Sequence, residues 1–380
     1  MGDASANDRR RCGYIRAVSE YAVGAACRID VPAHSRKIAE IPVGLDPEGV
    51  GVDVARRLAY VACSRSDWVT VVDLERHEAI ARVPVGAEPI DLVFDPPTDR
   101  IFTADAHADS VSVVDAETLT LVATIPVGAY PSGLAYDADA RRLYVGNSLG
   151  GTMSVLDVDT LETVATVEAE IGAGAIELDR ERRVILCVNF IAASVTLIDA
   201  DTNESFGRIE VGIGACAVGV VPERGEAFVV NSVAGTVARI DLDEARVVEE
   251  LRVGEAPVGL TVAPAHDRIY VSNRGAGTVS VLGVEDGVEW TQIPVGDGPG
   301  GVTVDPHDGR LLVADAGSGT LTIVEDLLAG RPPLPALEES SPLVGNQLPE
   351  FTLVDLRTGK TRTSREWAEK RYIINFFASW

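Results

Sequence analysis

Lysine is nearly absent from this chain of 380 residues, which has only Lys37, Lys360 and Lys370. Acidic residues outnumber lysine and arginine by 58 to 33, and the formal net charge is −25. Such a surface repels phosphate, which disfavours nucleic acid or an anionic membrane as a partner. We interpret the acidity as a solubilising or salt-adapted exterior rather than as an acidic binding surface.

Cysteine is also scarce, and its spacing carries no recognisable chemistry. The five cysteines contain no C-x-x-C pair, so no disulfide framework, zinc site or c-type haem site is indicated; they are Cys12, Cys27, Cys63, Cys187 and Cys216. We therefore expect no cofactor and no metal site.

Long apolar runs are missing as well. No stretch of about 18 apolar residues occurs, so no transmembrane helix is predicted. Basic residues near the N-terminus are not followed by an apolar segment, so a secretory signal is not predicted either. By default, these features indicate a cytoplasmic protein.

A repeat of 42 residues dominates the rest of the sequence. Seven copies follow one another without insertion or deletion, and they begin at residues 41, 83, 125, 167, 209, 251 and 293. Each copy contains four short β-like segments separated by turn residues, as in Ser132–Asp137, Arg142–Asn147, Thr152–Asp157 and Glu162–Val167. A period of roughly 40–45 residues with four strands is typical of a propeller blade. The sequence thus predicts an all-β, seven-bladed propeller of four-stranded blades.

Ring closure can be predicted from the two ends of the repeat. The seventh copy supplies only three strands, Gly301–Asp305, Arg310–Ala314 and Thr320–Val324, and the segment Arg36–Ile41 resembles an isolated outer strand. Pairing this segment with Thr320–Val324 would remove two unpaired edges. Alternatively, residues 13–31 could form part of an eighth blade, which we consider the weaker interpretation.

The repeat resembles the YVTN-type β-propeller over about residues 37–326. The resemblance rests on Val-Pro-Val-Gly-x-x-Pro, Arg-Leu-Tyr-Val-x-Asn and Thr-Val-Ser-Val-x-Asp, and copies four and five depart from it where Gly and Ala replace Pro. It implies a binding or scaffold propeller without a fixed catalytic residue. It also implies a periplasmic or otherwise extracytoplasmic location if the N-terminus is incomplete.

A different module is predicted after the propeller. We divide the chain into an N-terminal extension (1–35), the propeller (36–326), a proline-rich linker (327–344) and a C-terminal module (345–380). The module contains a predicted hairpin around Thr358-Gly359, a short helix over Ser364–Lys370 and a strand over Tyr372–Phe377. It resembles the opening of a redoxin, a thioredoxin-like thiol–disulfide oxidoreductase or peroxiredoxin relative, in Pro-x-Phe-x-Leu, Gly-Lys and Asn-Phe-x-Ala-Ser-Trp.

In that class the last motif leads directly into C-x-x-C, whereas this sequence ends at Trp380. We therefore expect this chain to be a fragment that lacks the redox activity of its parent protein. We also expect the last strand to lack sheet neighbours, because only part of a redoxin fold would be present.

Equivalent positions of the repeats give the candidate site. Residues that end the second strands form a predicted ring on the face that carries the loops into the inner strands, which we call the upper face. For these residues we favour a turn or capping role over a ligand ring; they are Cys63, Asp105, Asn147, Asn189, Asn231, Asn273 and Asp315.

The loops of this face differ among the copies. Copies one, two, six and seven carry charged residues, whereas copies four and five carry Gly, Ala, Ile and Cys216, so the face should be acidic on one side and apolar on the other. The candidate binding residues, besides the Asp and Asn members of the ring, are Asp46, Glu48, Arg65, Glu88, Asp91, His107, Arg274 and Asp297, with Glu255 beside them.

Three functions remain open at this point. The first is a binding or scaffold propeller, with a protein or small-molecule ligand on the upper face, fused to a redoxin-type oxidoreductase or antioxidant domain. The second is a lactonase-like hydrolase that uses carboxylates of the upper face, such as Asp105 and Asp315, around a divalent cation. The third is a purely structural or surface-layer propeller. His107 beside Asp105 has no paired nucleophile and is a weak candidate for a general base.

Overall fold

Seven antiparallel sheets of four strands form a closed ring in the computed structural model of this protein. The structure describes residues 15–18, 35–327, 352–354, 361–363 and 373–376. The prediction of seven four-stranded blades is confirmed. The predicted linker from residue 328 onward and the predicted helix over Ser364–Lys370 lie outside the described residues.

The strands follow the repeat in chain order. The inner strands are Pro47–Asp53, Pro89–Asp95, Pro131–Asp137, Ala173–Asp179, Ala215–Val221, Pro257–Ala263 and Pro299–Val304. The second strands are Leu58–Cys63, Arg100–Asp105, Arg142–Asn147, Val184–Asn189, Glu226–Asn231, Arg268–Asn273 and Leu311–Asp315. The third strands are Trp68–Asp73, Ser110–Asp115, Thr152–Asp157, Ser194–Asp199, Thr236–Asp241, Thr278–Leu282 and Thr320–Asp326. The outer strands of blades one to six are Glu78–Pro84, Thr120–Pro126, Glu162–Glu168, Ser205–Glu210, Arg246–Arg252 and Glu289–Pro294.

The seventh blade is completed by the strand Ser35–Pro42. It pairs antiparallel with Thr320–Asp326, so that Pro42 lies opposite Thr320 and Ser35 opposite Asp326. The predicted closure of the ring is confirmed. Without it, both strands would expose unpaired backbone groups.

Apolar packing lies between the blades, because successive side chains of a strand point to opposite faces of its sheet. Tyr60 in the second strand of blade one packs with Leu92 and Ile101 of blade two. Its neighbour Val61 packs instead with Leu312 and other residues of blade seven. Each blade is therefore stabilised from both sides, whereas the outer strands are mostly exposed.

Ion pairs join neighbouring blades on the lower face, where the inner strands end. The guanidinium of Arg183 lies 2.6 Å from the fully buried carboxylate of Asp137, one blade away. Burial alone would raise the pKa of Asp137, but hydrogen bonds from Arg183 and from backbone N–H groups outweigh it and lower that pKa. Similar pairs join Arg141 to Asp95 and Arg57 to Asp305.

Short single-turn helices complete the described elements: Ser64–Ser66, Ala106–Ala108, Pro222–Arg224 and Pro264–His266. Among the described residues, no helix has the length and apolarity that crossing a membrane requires.

The chain divides into two compact units, His34–Arg331 and a second unit made of Met1–Ala33 with Pro332–Trp380. In the second unit, Thr352–Val354 pairs with Thr361–Thr363, as the predicted hairpin requires. The strand Ile373–Phe376 pairs with Ile15–Val18. The expectation that the last strand lacks a sheet neighbour was wrong, because the N-terminal extension supplies one. Ile15–Val18 therefore pairs with this strand rather than beginning an eighth blade.

Candidate functional site

The ring of residues that end the second strands lies inside the blades. All seven side chains are fully buried. Asn147 donates hydrogen bonds to Thr152 and Ser154 of the third strand, and Asn273 donates to Thr278 and Ser280. These bonds tie each ring residue to its own blade. For Asn147 and Asn273 the partners are hydroxyls of the third strand rather than local N–H groups, and the turn or capping role stays a prediction.

Glycine makes room for this ring. A Cβ at Gly254 would lie 2.5 Å from Asn273, and one at Gly296 would lie 2.4 Å from the carboxylate of Asp315. The glycine of the Val-Pro-Val-Gly motif thus leaves the space that the buried side chain fills. Blade four has Glu170 at this position, where its backbone N–H donates to Asn189.

Asp105 and Asp315 are the acidic members of the ring. Burial raises the pKa of each to about 6, although hydroxyl donors offset part of the shift. Asp105 accepts hydrogen bonds from Thr103 and Ser112. Asp315 accepts from Gly296 N–H and from Thr320 and Thr322. Both carboxylates are buried and accept hydrogen bonds from their own blades, so a substrate at the surface would not contact them.

Two further carboxylates lie along the inner strands. Asp91 accepts N–H bonds from Leu92 at 2.8 Å and from Leu134 of the next blade at 2.9 Å. Glu177 accepts one from Leu178 at 3.3 Å. Burial raises the pKa of Asp91 to about 6 and that of Glu177 to about 7. The sequence analysis did not single out Glu177. A signal was present, because the other six copies of the repeat have an apolar or small residue at the equivalent position.

At the upper end of blade seven, an arginine of blade six forms ion pairs with carboxylates of blade one. Arg274 of blade six forms ion pairs with Glu48 and, at 3.8 Å, with Asp46, both of blade one. Gly300 of blade seven lies beneath, where an added Cβ would meet the Glu48 carboxylate at 2.4 Å. Burial raises the pKa of Glu48, and Arg274 offsets this effect.

A second cluster joins blades two and three. Glu88 lies 2.6 Å from His107 Nδ1 and 3.4 Å from the Tyr130 hydroxyl. The rings of His107 and Tyr130 meet edge to face, with centroids 5.6 Å apart. Of the remaining candidates, Arg65, Glu255 and Asp297 are exposed.

The cysteines of the propeller are not activated thiols. Cys63 and Cys187 are buried, and Cys216 is half-buried. Burial raises the pKa of Cys63, and raises those of Cys187 and Cys216 to about 12, which keeps them as neutral thiols. Cys12 and Cys27 lie outside the described residues. Within the described parts of the chain, no three His, Cys, Asp or Glu side chains form a group that could hold a metal ion.

Exposed apolar side chains lie on successive loops of blades three to five of the upper face. Their exposed fractions run from 45% to 69%. We call this set the apolar arc; its members are Leu149, Ile171, Phe190, Ile191, Ile213 and Val233.

Backbone hydrogen bonds hold neighbouring loops of the arc side by side. Gly172 N–H donates to Ser148 at 2.9 Å, and Ala192 N–H donates to Ile171 at 3.3 Å. Val211 N–H then donates to Ala193, and Ala234 N–H donates to Ile213. The arc is therefore a surface of fixed shape rather than a scatter of single apolar residues.

Comparison with known proteins agrees with this fold. Residues 38–218 match the family model described as a YNCE-like beta-propeller. Among solved structures, Kuenenia stuttgartiensis hydrazine synthase is similar, with a TM-score of 0.67 and 19% identity, over 80% of this chain and 98% of that chain. At this identity, the similarity shows the fold alone. No curated protein matches the chain.

Proposed function

We propose that the propeller is a binding scaffold that holds a protein partner on the apolar arc. The arc itself carries this proposal, because large apolar residues that cover adjacent loops of a rigid scaffold are a recurrent feature of interaction surfaces. The side chains expose apolar area that a partner would remove from water at roughly 25 cal/mol per Å².

The proposal is tested by photo-crosslinking in cells that naturally express the protein. A benzophenone amino acid replaces Ile213 in the arc or, as the control, Val122, which is 52% exposed on an outer strand. We expect one discrete covalent adduct from position 213, identifiable by mass spectrometry, and none from position 122. Absence of an adduct at 213, or the same adduct at both positions, would contradict the proposal.

We further propose that Gly345–Trp380 opens a redoxin-type module whose C-x-x-C dithiol follows Trp380. Support comes from the order of the three sequence motifs and from the pairing of Thr352–Val354 with Thr361–Thr363 around Thr358-Gly359. In such a module, a helix N-terminus lowers the pKa of the first thiol, and the second thiol resolves the mixed disulfide.

An insulin-reduction assay tests this second proposal. A chain extended through C-x-x-C should reduce insulin disulfides with dithiothreitol as electron donor. The 380-residue chain and an extended chain with both dithiol cysteines changed to serine should not. Turnover by the short chain that is lost on changing Cys63 or Cys216 would place the chemistry in the propeller instead. Peroxide consumption by the extended chain separates an antioxidant role from disulfide exchange.

A further inference from the structure

Carboxylates border the apolar arc at both of its ends. Beyond Leu149, the loop at Tyr130 accepts backbone hydrogen bonds from the N–H groups of Ser148 and Leu149, and the next loop carries His107 and Asp109 with Glu88 beside them. Beyond Val233, the pairing of Thr236 with Arg252 brings in the loop of Glu255. The loops in between hold only one charged side chain, Glu170.

Glu170 is already neutralised within its own blade. Its carboxylate accepts hydrogen bonds from Arg208 at 3.0 Å and from Ser194, and these donors lower its pKa. The arc thus presents an apolar middle without a free charge. The borders are different: Glu255 and Asp109 are exposed, and no ion pair to either occurs among the described residues. Glu88 is less exposed and lies beside His107.

We infer that the partner segment on this surface is apolar in its middle and carries arginine or lysine at both ends. This inference rests on the proposed binding function and specifies the chemistry of the partner. Basic ends would meet the Glu88–Asp109 border on one side and the Glu255 border on the other. Such charge complementarity favours the correct partner and speeds association more than it adds affinity.

Charge also argues against two other occupants. A second copy of this chain has the same acidic borders and a net charge of −25, so two arcs facing each other would bring like charges together. An anionic membrane would be repelled for the same reason. A neutral lipid surface would match the apolar middle but would leave the borders without partners.

The inference is tested with two fluorescein-labelled peptides that share one leucine- and phenylalanine-rich core. One peptide has arginines at both ends, and the other has glutamates. Fluorescence anisotropy should show that the arginine peptide binds at least about ten-fold more tightly, as expected for two or three partly exposed charge pairs. The preference should shrink as salt rises, because the Debye length falls to about 8 Å at 0.15 M.

Variants locate the binding and its charge preference. Ile191→Ser with Ile213→Ser should abolish binding of both peptides, whereas the control Ile80→Ser on an outer strand should not. Glu88→Gln with Glu255→Gln should remove most of the preference and leave the core binding, whereas the exposed control Glu162→Gln should preserve it.

Several outcomes would overturn the inference. Equal affinities for the two peptides would refute the basic ends while leaving an apolar binding surface in place. Failure of both peptides to bind, or stronger binding to phosphatidylcholine vesicles than to the arginine peptide, would refute a protein segment of this chemistry. The photo-crosslinking result at Ile213 decides the proposed function independently, because it does not depend on the ends of the partner.

Discussion

Some positions of this repeat depend on a second residue elsewhere in the same repeat. The buried ring residue and the glycine that faces it illustrate this point. The sequence predicted that Asn147 and Asn273 take local capping bonds, because Asn suits such positions. It could not predict their complete burial, since the space for each side chain is created by a glycine 19 residues earlier in the chain.

Gly254→Ala should therefore be destabilising. The added Cβ would meet Asn273 at 2.5 Å, and the fully packed blade has no room to yield. We expect a loss of roughly 1–3 kcal/mol in the free energy of unfolding, measured by denaturant titration. Gly150→Ala is the matched control, because its nearest neighbour is 3.3 Å away. Equal losses for both variants would contradict this account.

Glu177→Gln should stabilise the protein at high pH. Burial raises the pKa of Glu177 from an ordinary 4.5 to about 7. Its favourable contribution is therefore complete below pH 4.5 and is lost as the pH rises through 7. Glutamine removes this loss, so the melting temperature should rise by about 2–4 °C at pH 8 and change little at pH 4. The exposed control Glu162→Gln should show no such pH dependence, and equal shifts at both pH values would disprove the mechanism.

At the scale of strands and blades, the sequence was most informative where the 42-residue period holds. It predicted the second strand Arg142–Asn147 and the third strand Thr152–Asp157 with the bounds that the structure has. It failed for the pairing of Ile15–Val18 with Ile373–Phe376. These strands lie outside the repeat and far apart in sequence, so no periodic pattern links them. The ion pairs between blades were missed for a related reason, because each joins residues of different repeats.

Arg183→Ala tests the ion pairs of the lower face. It would leave the fully buried carboxylate of Asp137 without its partner. We expect a loss of about 3 kcal/mol in the free energy of unfolding at pH 7, and a smaller loss in acid, where the unpartnered carboxyl group of the variant can be protonated. Arg76→Ala is the control, since Arg76 is mostly exposed beside Asp73 and should contribute less than about 1 kcal/mol. A loss as small as that of Arg76→Ala would show that the buried pair is not needed.

Two truncations test ring closure. Removal of residues 1–33 keeps the strand Ser35–Pro42, whereas removal of residues 1–43 deletes it and exposes the edge of Thr320–Asp326. Both remove Ile15–Val18, so they differ only at the closing strand. We expect the shorter truncation to preserve the melting temperature of the propeller and the longer one to lower it sharply. Circular dichroism at a β-sheet wavelength measures both, and equal melting temperatures would mean that closure does not stabilise the ring.

The whole molecule places different chemistry on its two faces. The lower face joins neighbouring blades through buried Asp–Arg pairs, such as Asp137 with Arg183. The upper face leaves the apolar arc uncovered among the described residues, between acidic borders. Departures of blades four and five from the repeat predicted this polarity of the upper face. Under the proposed function, the exposed loops of the upper face would serve a partner, whereas the ion pairs of the lower face stabilise the ring.

This separation predicts that the arc can be changed without loss of stability. Ile191→Ser with Ile213→Ser replaces side chains that are 59% and 67% exposed, so the free energy of unfolding should change by no more than about 0.5 kcal/mol per site. The same variant should bind less of the apolar dye ANS, because two exposed apolar side chains of the arc are replaced by polar ones. The paired control Ile80→Ser with Val122→Ser removes exposed apolar residues from two separate outer strands and should leave dye binding nearly unchanged. A stability loss of several kcal/mol in the arc variant would mean that these loops pack the propeller instead of serving a partner.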